Sequence, residues 1–271
     1  MPQDDRNALL QIDNLCKSFG GVQAVNHTTF DVVEGSITGL IGPNGAGKTT
    51  LFNLVAGNHK PDSGSVYFAG DDITGMQPHA LFARRLLRTF QIPHEFDTMS
   101  ARENLMMVPG EQSGENLFST WLNFSRVRQQ EKTIRERADS VLDFLGLSHV
   151  ADHPAGKLSG GQKKLLEIGR TMMVDARMVL LDEVGAGVNR TLLAEIAGKI
   201  EQLNREHGYT FCLIEHDMDL ITRLCERVVV LAEGTVLTVG TPEEVTSNPE
   251  VIEAYLGHTD NDMLKSQRSR G

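Results

Sequence analysis

Apolar positions in this chain recur with two different periods. Over residues 8–41 and 63–70 they fall in short runs, LLQIDNL, TTFDVV, SITGLIG and GSVYFAG, punctuated by Gly, Asn and Asp, and each run predicts a β-strand. Residues 78–90 add a short helix and a strand ending in LRTFQ. From about Ile92 to Gly160 the pattern turns helical. In the segment near 122–145, Ile134, Ala138, Val141, Leu142 and Leu145 share one stripe while Arg and Glu fill the other face, which predicts a core-facing side and a solvated side. The helix QKKLLEIGRTMM, the strand RMVLLDE, a helix from about Arg190 to Glu206, and the strands TFCLIEH and RVVVLAEG follow. Strands alternating with helices predict an α/β fold whose sheet is mostly parallel and covered on both faces. Near the end, Val251, Ile252, Tyr255 and Leu256 form one face of a short helix expected to pack on the domain, and residues 258–271 read as a flexible tail.

Composition narrows the function. At 271 residues and 40% apolar content the chain can bury a core of ordinary size. The net charge of −10 argues against nucleic acid as a main partner, because duplex binding needs clustered cations that displace counterions. Cys16, Cys212 and Cys225 are widely spaced and odd in number, which suggests neither disulfides nor zinc and fits a reducing compartment. MPQDDRNALL is acidic, unlike a signal peptide, and no apolar run reaches membrane-spanning length. His149 and His153, four apart before Pro154, have no third ligand nearby and are not expected to hold metal.

The chemistry lies at the ends of the apolar runs. GPNGAGKTT, Gly42 to Thr50, fills the pattern G-x-x-x-x-G-K-[ST] between a predicted strand and a predicted helix. Gly45 and Gly47 allow backbone N–H groups to fold around an anion, and the helix from Lys48 adds its positive end. Lys48 would reach the β- and γ-phosphates and Thr49 would ligate Mg²⁺. MVLLDE ends in two carboxylates at the same sheet edge: Asp182 would hold Mg²⁺ through its water shell and Glu183 would polarise the attacking water. Gln91 could bond both Mg²⁺ and water, His216 could contact the γ-phosphate, and Phe19 offers a flat face to adenine.

One more glycine-rich stretch, LSGGQ at Leu158–Gln162, has no evident use beside a complete phosphate loop. Gly42–Thr50, Gln91, LSGGQ, MVLLDE and His216 occur in the order and approximate spacing of the nucleotide-binding domains of ATP-binding cassette (ABC) proteins, and the resemblance covers residues 8–257. It implies a P-loop NTPase (RecA-like) core with an antiparallel β subdomain, about 8–91 and 161–257, and a helical subdomain, about 92–160, within a single domain over 1–257. It also implies that ATP binds Phe19, Gly42, Asn44, Gly45, Gly47, Lys48, Thr49 and Thr50 of one chain. Ser159, Gly160, Gly161 and Gln162 of a second ATP-binding subunit, the same or a related chain, would close over the γ-phosphate. Metal contacts would fall to Thr49, Gln91 and Asp182, and catalysis to Glu183, His216 and Gln91.

RTFQ, MSARENLMM, GAGVN, CLIEHDMDLI and NPEVIEAYLG look like the ATPase subunits of branched-chain amino acid importers. That resemblance implies integral membrane permease subunits, indirectly a solute-binding protein, and a peripheral place on the cytoplasmic face of the inner membrane. Urea or short-amide importers and the lipopolysaccharide-export ATPase share parts of the set. A soluble ABC ATPase of an assembly system is the rival class, and LSGGQ disfavours a metabolite kinase. Two positions depart from the family: Asn189 stands where most members have Asp, and Val184 where Pro usually follows the Glu, which leaves the rigidity of that loop open.

Overall fold

The computed structural model describes residues 8–89, 96–109 and 124–256, so Gln91 and the expected tail from 258 lie outside it. The described residues divide into two compact units. The first holds 8–88, 177–185 and 200–256, and the second holds 89, 96–109, 124–176 and 186–199.

In the first unit, β1 (Ala8–Phe19), β2 (Val22–Val33), β4 (Ser63–Phe68) and β5 (Asp71–Asp72) form an antiparallel sheet in the order β2-β1-β4-β5. A second sheet has the order β10-β9-β3-β8-β7-β6, built from β3 (Ile37–Ile41), β6 (Leu86–Arg88), β7 (Met178–Asp182), β8 (Thr210–Ile214), β9 (Arg227–Ala232) and β10 (Thr235–Gly240). Only β10 runs antiparallel in it. Strands β3, β7 and β8 are buried at every position, which is why they read as unbroken apolar runs. Leu10, Ile12, Val32 and Phe68 of the antiparallel sheet share one core with Leu40, Leu180 and Ile214, with Leu51, Phe52 and Val55 of α1 (Lys48–Val55), and with Leu81 of α2 (Pro78–Ala83).

Parallel register places the functional ends together. Leu40 pairs with Ile214, and Ile214 with Asp182, so β3, β7 and β8 finish level at one edge. Gly42, Glu183 and Glu215–His216 follow those ends, where α/β sheets bind ligands.

The second unit contains α3 (Ala101–Met106), α4 (Phe124–Phe144), α5 (Gly160–Met172) and residues 190–199 of α6 (Arg190–His207). The expected stripe holds on α4 and just past its end: Ala138, Val141, Leu142 and Leu145 are buried, with Ile134 half-buried. They approach α5 at Gly169, where a Cβ would lie 2.7 Å from Leu145 Cδ1 and 3.2 Å from Leu105 Cδ2.

Some elements differ from the sequence pattern. A helix α7 (Met218–Leu224) begins directly after His216, capped by Asp217, whose Oδ1 accepts from the N–H groups of Asp219 and Leu220. The run after β9 turns back into β10 through Glu233 and Gly234, both at positive φ, which suits a tight hairpin. In the terminal helix over 249–256, α8 (Pro242–Ser247) being the helix before it, Val251 is buried, but Ile252 and Leu256 are 47% and 63% exposed. The expected apolar face is therefore split. His149 lies in a 3₁₀ turn (Ser148–Val150) and not on an α-helix, and no cluster of three His, Cys, Asp or Glu among the described residues could hold a metal.

Candidate functional site

The phosphate loop has the form its glycines dictate. Gly47, the residue before α1, has φ 96, and a Cβ on it would lie 2.1 Å from the Ala24 carbonyl oxygen. A Cβ on Gly42 would meet Leu231 O at the same distance, so no other residue fits either position. Lys48 is buried, and its ammonium donates to Gly42 O at 2.7 Å and Pro43 O at 3.0 Å, which holds it inside the curve of the loop. Burial pushes the Lys48 pKa down, and the nearby Glu183 and Asp182 carboxylates counter that shift. Asn44, Gly45 and Thr49 are exposed and Thr50 is half-buried, so the mouth of the loop is open. The C-terminal segment also reaches it: burial pushes the Tyr255 phenol pKa up, and the nearby Gly42 backbone partly counters that shift.

The two carboxylates at the end of β7 have separate surroundings. Asp182 is 4% exposed, and its Oδ2 accepts from Arg88 Nη2 at 2.6 Å. Arg88 also donates to Asn53 Oδ1 of α1 and lies over the Phe52 ring. One guanidinium thus ties β6 to the end of β7 and to the helix of the phosphate loop. Glu183 has φ 51, a conformation uncommon outside glycine, and its N–H donates to Ile214 O at 3.0 Å. Its Oε1 lies 3.2 Å from His216 Nε2. Beside them Glu215 is buried: Oε1 accepts from Gly185 N–H at 2.8 Å and Oε2 from His216 N–H at 3.3 Å.

Hard oxygen donors from Asp182 and Thr49 beside a phosphate loop fit Mg²⁺, which takes few protein ligands and shares the rest with phosphates and water. Phe19 ends β1 and is 46% exposed, with His59 edge-on at 5.4 Å and Lys17 Nζ at 5.5 Å from its ring centre. Its ring is available for stacking.

LSGGQ lies in the second unit and forms the start of α5. Ser159 is the N-cap. Its Oγ accepts from Gln162 N–H, and its own N–H donates to Gln162 Oε1 at 2.9 Å, a complete capping box. Gly161 is packed so closely that a Cβ would lie 1.6 Å from Leu192 Cδ2, whereas Gly160 has open space around it. With Leu158 buried in the core, four of the five residues therefore have local work, and Gly160 alone offers bare backbone at a helix start.

Sequence reasoning did not single out Arg88 and Glu215. A charged residue inside a short strand was the signal for Arg88. For Glu215 it was a polar pair closing an apolar run, as Asp182 and Glu183 do.

Residues 25–186 match the ABC transporter family, and residues 235–261 match the family described as branched-chain amino acid ATP-binding cassette transporter. The chain is 40% identical over 259 residues to the probable branched-chain amino acid transport ATP-binding protein LivG of Archaeoglobus fulgidus, covering 94% of this chain and 98% of that protein. It is 37% identical over 249 residues to the high-affinity branched-chain amino acid transport ATP-binding protein BraF of Pseudomonas aeruginosa, covering 92% and 98%. A crystal structure of the ADP conformation of an ATP-binding cassette from an ABC transporter superposes with a TM-score of 0.79 at 36% identity, covering 92% of this chain and 99% of that one. Because the likeness runs through more than nine-tenths of the chain and not through the phosphate loop alone, this protein belongs to the ABC transporter family and is one of its nucleotide-binding ATPase cassettes.

Proposed function

We infer that this chain hydrolyses ATP to drive the import of branched-chain amino acids. The observation that carries the chemistry is the meeting of Glu183 and His216 at the edge where Lys48 and Asp182 also lie. Its relatives' names and the match at residues 235–261 support the solute class.

In this reading the backbone of the phosphate loop and Lys48 hold the β- and γ-phosphates, and Phe19 stacks on adenine. Thr49 and Asp182 hold Mg²⁺, which when bound offsets phosphate charge, with Gln91 completing the set. Glu183 accepts a proton from the attacking water. His216 keeps that carboxylate in place and reaches toward the γ-phosphate. Ser159, Gly160, Gly161 and Gln162 serve the site of a second ATP-binding subunit, with Gly160 presenting unobstructed backbone to its γ-phosphate. Closure of two subunits on ATP and their opening after hydrolysis then move permease subunits in the membrane, and a solute-binding protein delivers the solute to those subunits. The reading puts the chain peripherally on the cytoplasmic face of the inner membrane, bound to permeases, as its relatives' names as transport ATP-binding proteins support; no helix among the described residues is long and apolar enough to cross a membrane.

The test is deletion of the gene followed by uptake assays with labelled leucine and urea, and purification of the tagged chain from solubilised membranes. Loss of leucine uptake and co-purification of integral membrane proteins are expected. Loss of urea uptake alone would replace the solute assignment, and recovery solely from the soluble fraction without permeases would replace the transport role.

A further inference from the structure

We propose that Glu215 is a positioning residue for hydrolysis, holding the loop that carries Glu183. The inference rests on Glu183 being the carboxylate that activates water. At φ 51, Glu183 occupies a conformation that persists in a non-glycine residue only where the surroundings over-determine it. One restraint is its own N–H on Ile214 O, and Glu215 supplies the next: two residues beyond Glu183, Gly185 N–H donates to Glu215 Oε1 at 2.8 Å. Through Oε2 the same carboxylate accepts from His216 N–H at 3.3 Å. One side chain thus spans the segments after β7 and β8, whose Glu183 and His216 meet at 3.2 Å.

Burial makes this arrangement informative. Glu215 is 3% exposed, and among the described residues the other buried carboxylate is Asp182 at 4%. Placing a carboxylate there carries a desolvation cost that two backbone N–H bonds help offset. Val184 leaves its own φ free where a proline would fix it, and the bond from Glu215 restrains the loop one residue further on, at Gly185. Glu215 acts through Glu183 and has no part in binding phosphate.

Steady-state hydrolysis by Glu215→Ala and Glu215→Gln tests this, with thermal melting to report folding. For Glu215→Ala, kcat should fall about 100-fold while KM for ATP stays within about twofold, as expected when a reacting group is misplaced by a fraction of a bond length or more. Glu215→Gln keeps one oxygen for Gly185 N–H and should lose about tenfold; it carries the same comparison if the alanine variant does not fold. Adding Glu215→Ala to Glu183→Gln should change single-turnover hydrolysis by less than about threefold, because the group through which it acts is already gone. Losses that multiply in the double variant, or native kcat in both single variants, would overturn the proposal. Near-native turnover of Glu183→Gln would instead overturn the reading of Glu183.

Discussion

His216 Nε2 lies 3.2 Å from Glu183 Oε1, although the two residues are 33 apart in sequence. The contact fixes a carboxylate whose backbone is already held at positive φ. Replacing Glu183 by Gln keeps the shape and one acceptor but removes the negative charge that takes a proton from water. Hydrolysis should slow by about 10²–10⁴-fold with ATP still bound, the usual range for loss of a general base. Filter binding of labelled ATP alongside phosphate release measures both halves, and fast turnover would exclude the role.

Arg88 faces the other carboxylate. Its guanidinium and Asp182 are 10% and 3% exposed and lie 2.6 Å apart. Such a pair gains little over an apolar alternative, yet removing one partner leaves the other buried and uncompensated, at about 3–5 kcal/mol. Arg88→Met should therefore lower the melting temperature by about 6–20 °C. An unchanged melting temperature would mean that water reaches Asp182.

The strands that position these residues were legible because β3, β7 and β8 are buried on both faces and leave unbroken apolar runs. The placing of Lys48, Asp182 and Glu183 at one sheet edge was legible because each lies at or shortly after the end of an unbroken apolar run. Arg88 and Glu215 were not, since their meaning depends on partners 94 and 30 residues away. Strand β10 is half-buried throughout and lacks a clean alternation of apolar and polar positions. Helix α7 was hidden by the strand ending just before it, although Asp217 is an ordinary cap. LSGGQ was legible as a motif, but its local packing was not: Ser159 and Gln162 cap α5 while Gly161 lets Leu192 approach.

The different packing of its two glycines separates two alanine variants. Gly161→Ala would drive a methyl into Leu192 and should cost about 1–3 kcal/mol of stability. Gly160→Ala meets no atom within 4 Å and should leave the melting temperature unchanged. In a Glu183→Gln background, Gly160→Ala should nevertheless weaken ATP-driven pairing of two chains, measured by light scattering. Undiminished pairing would remove Gly160 from the closing surface.

Lys48 gives the pH dependence. Burial lowers its pKa from the usual 10.5, and phosphate bound beside it would favour the ammonium and raise the value again. Between the lowered and raised values, binding ATP takes up a proton, so affinity should fall as pH rises through that window, starting below 10.5. Calorimetry in two buffers of different ionisation heat would detect the proton. A flat affinity over the window would contradict the placement of the ammonium against phosphate.

The terminal helix gives a prediction with two arms. Val251 is 5% exposed, and truncating it to Ala removes two buried methyl groups, about 1.6 kcal/mol at about 0.8 per group. Leu256 is the larger side chain, yet at 63% exposure its truncation should stay within about 0.5 kcal/mol. Between them, the Tyr255 phenol lies near the backbone of Gly42, so Tyr255→Phe removes only a hydroxyl and should act on the phosphate loop more than on the fold. The expected outcome is a lower melting temperature for Val251→Ala alone and a weaker affinity for ATP in Tyr255→Phe. If Leu256→Ala were the most destabilising of the three, the helix would pack through the face the sequence first suggested. If Tyr255→Phe bound ATP as the native chain does, the hydroxyl would have no part in shaping the loop.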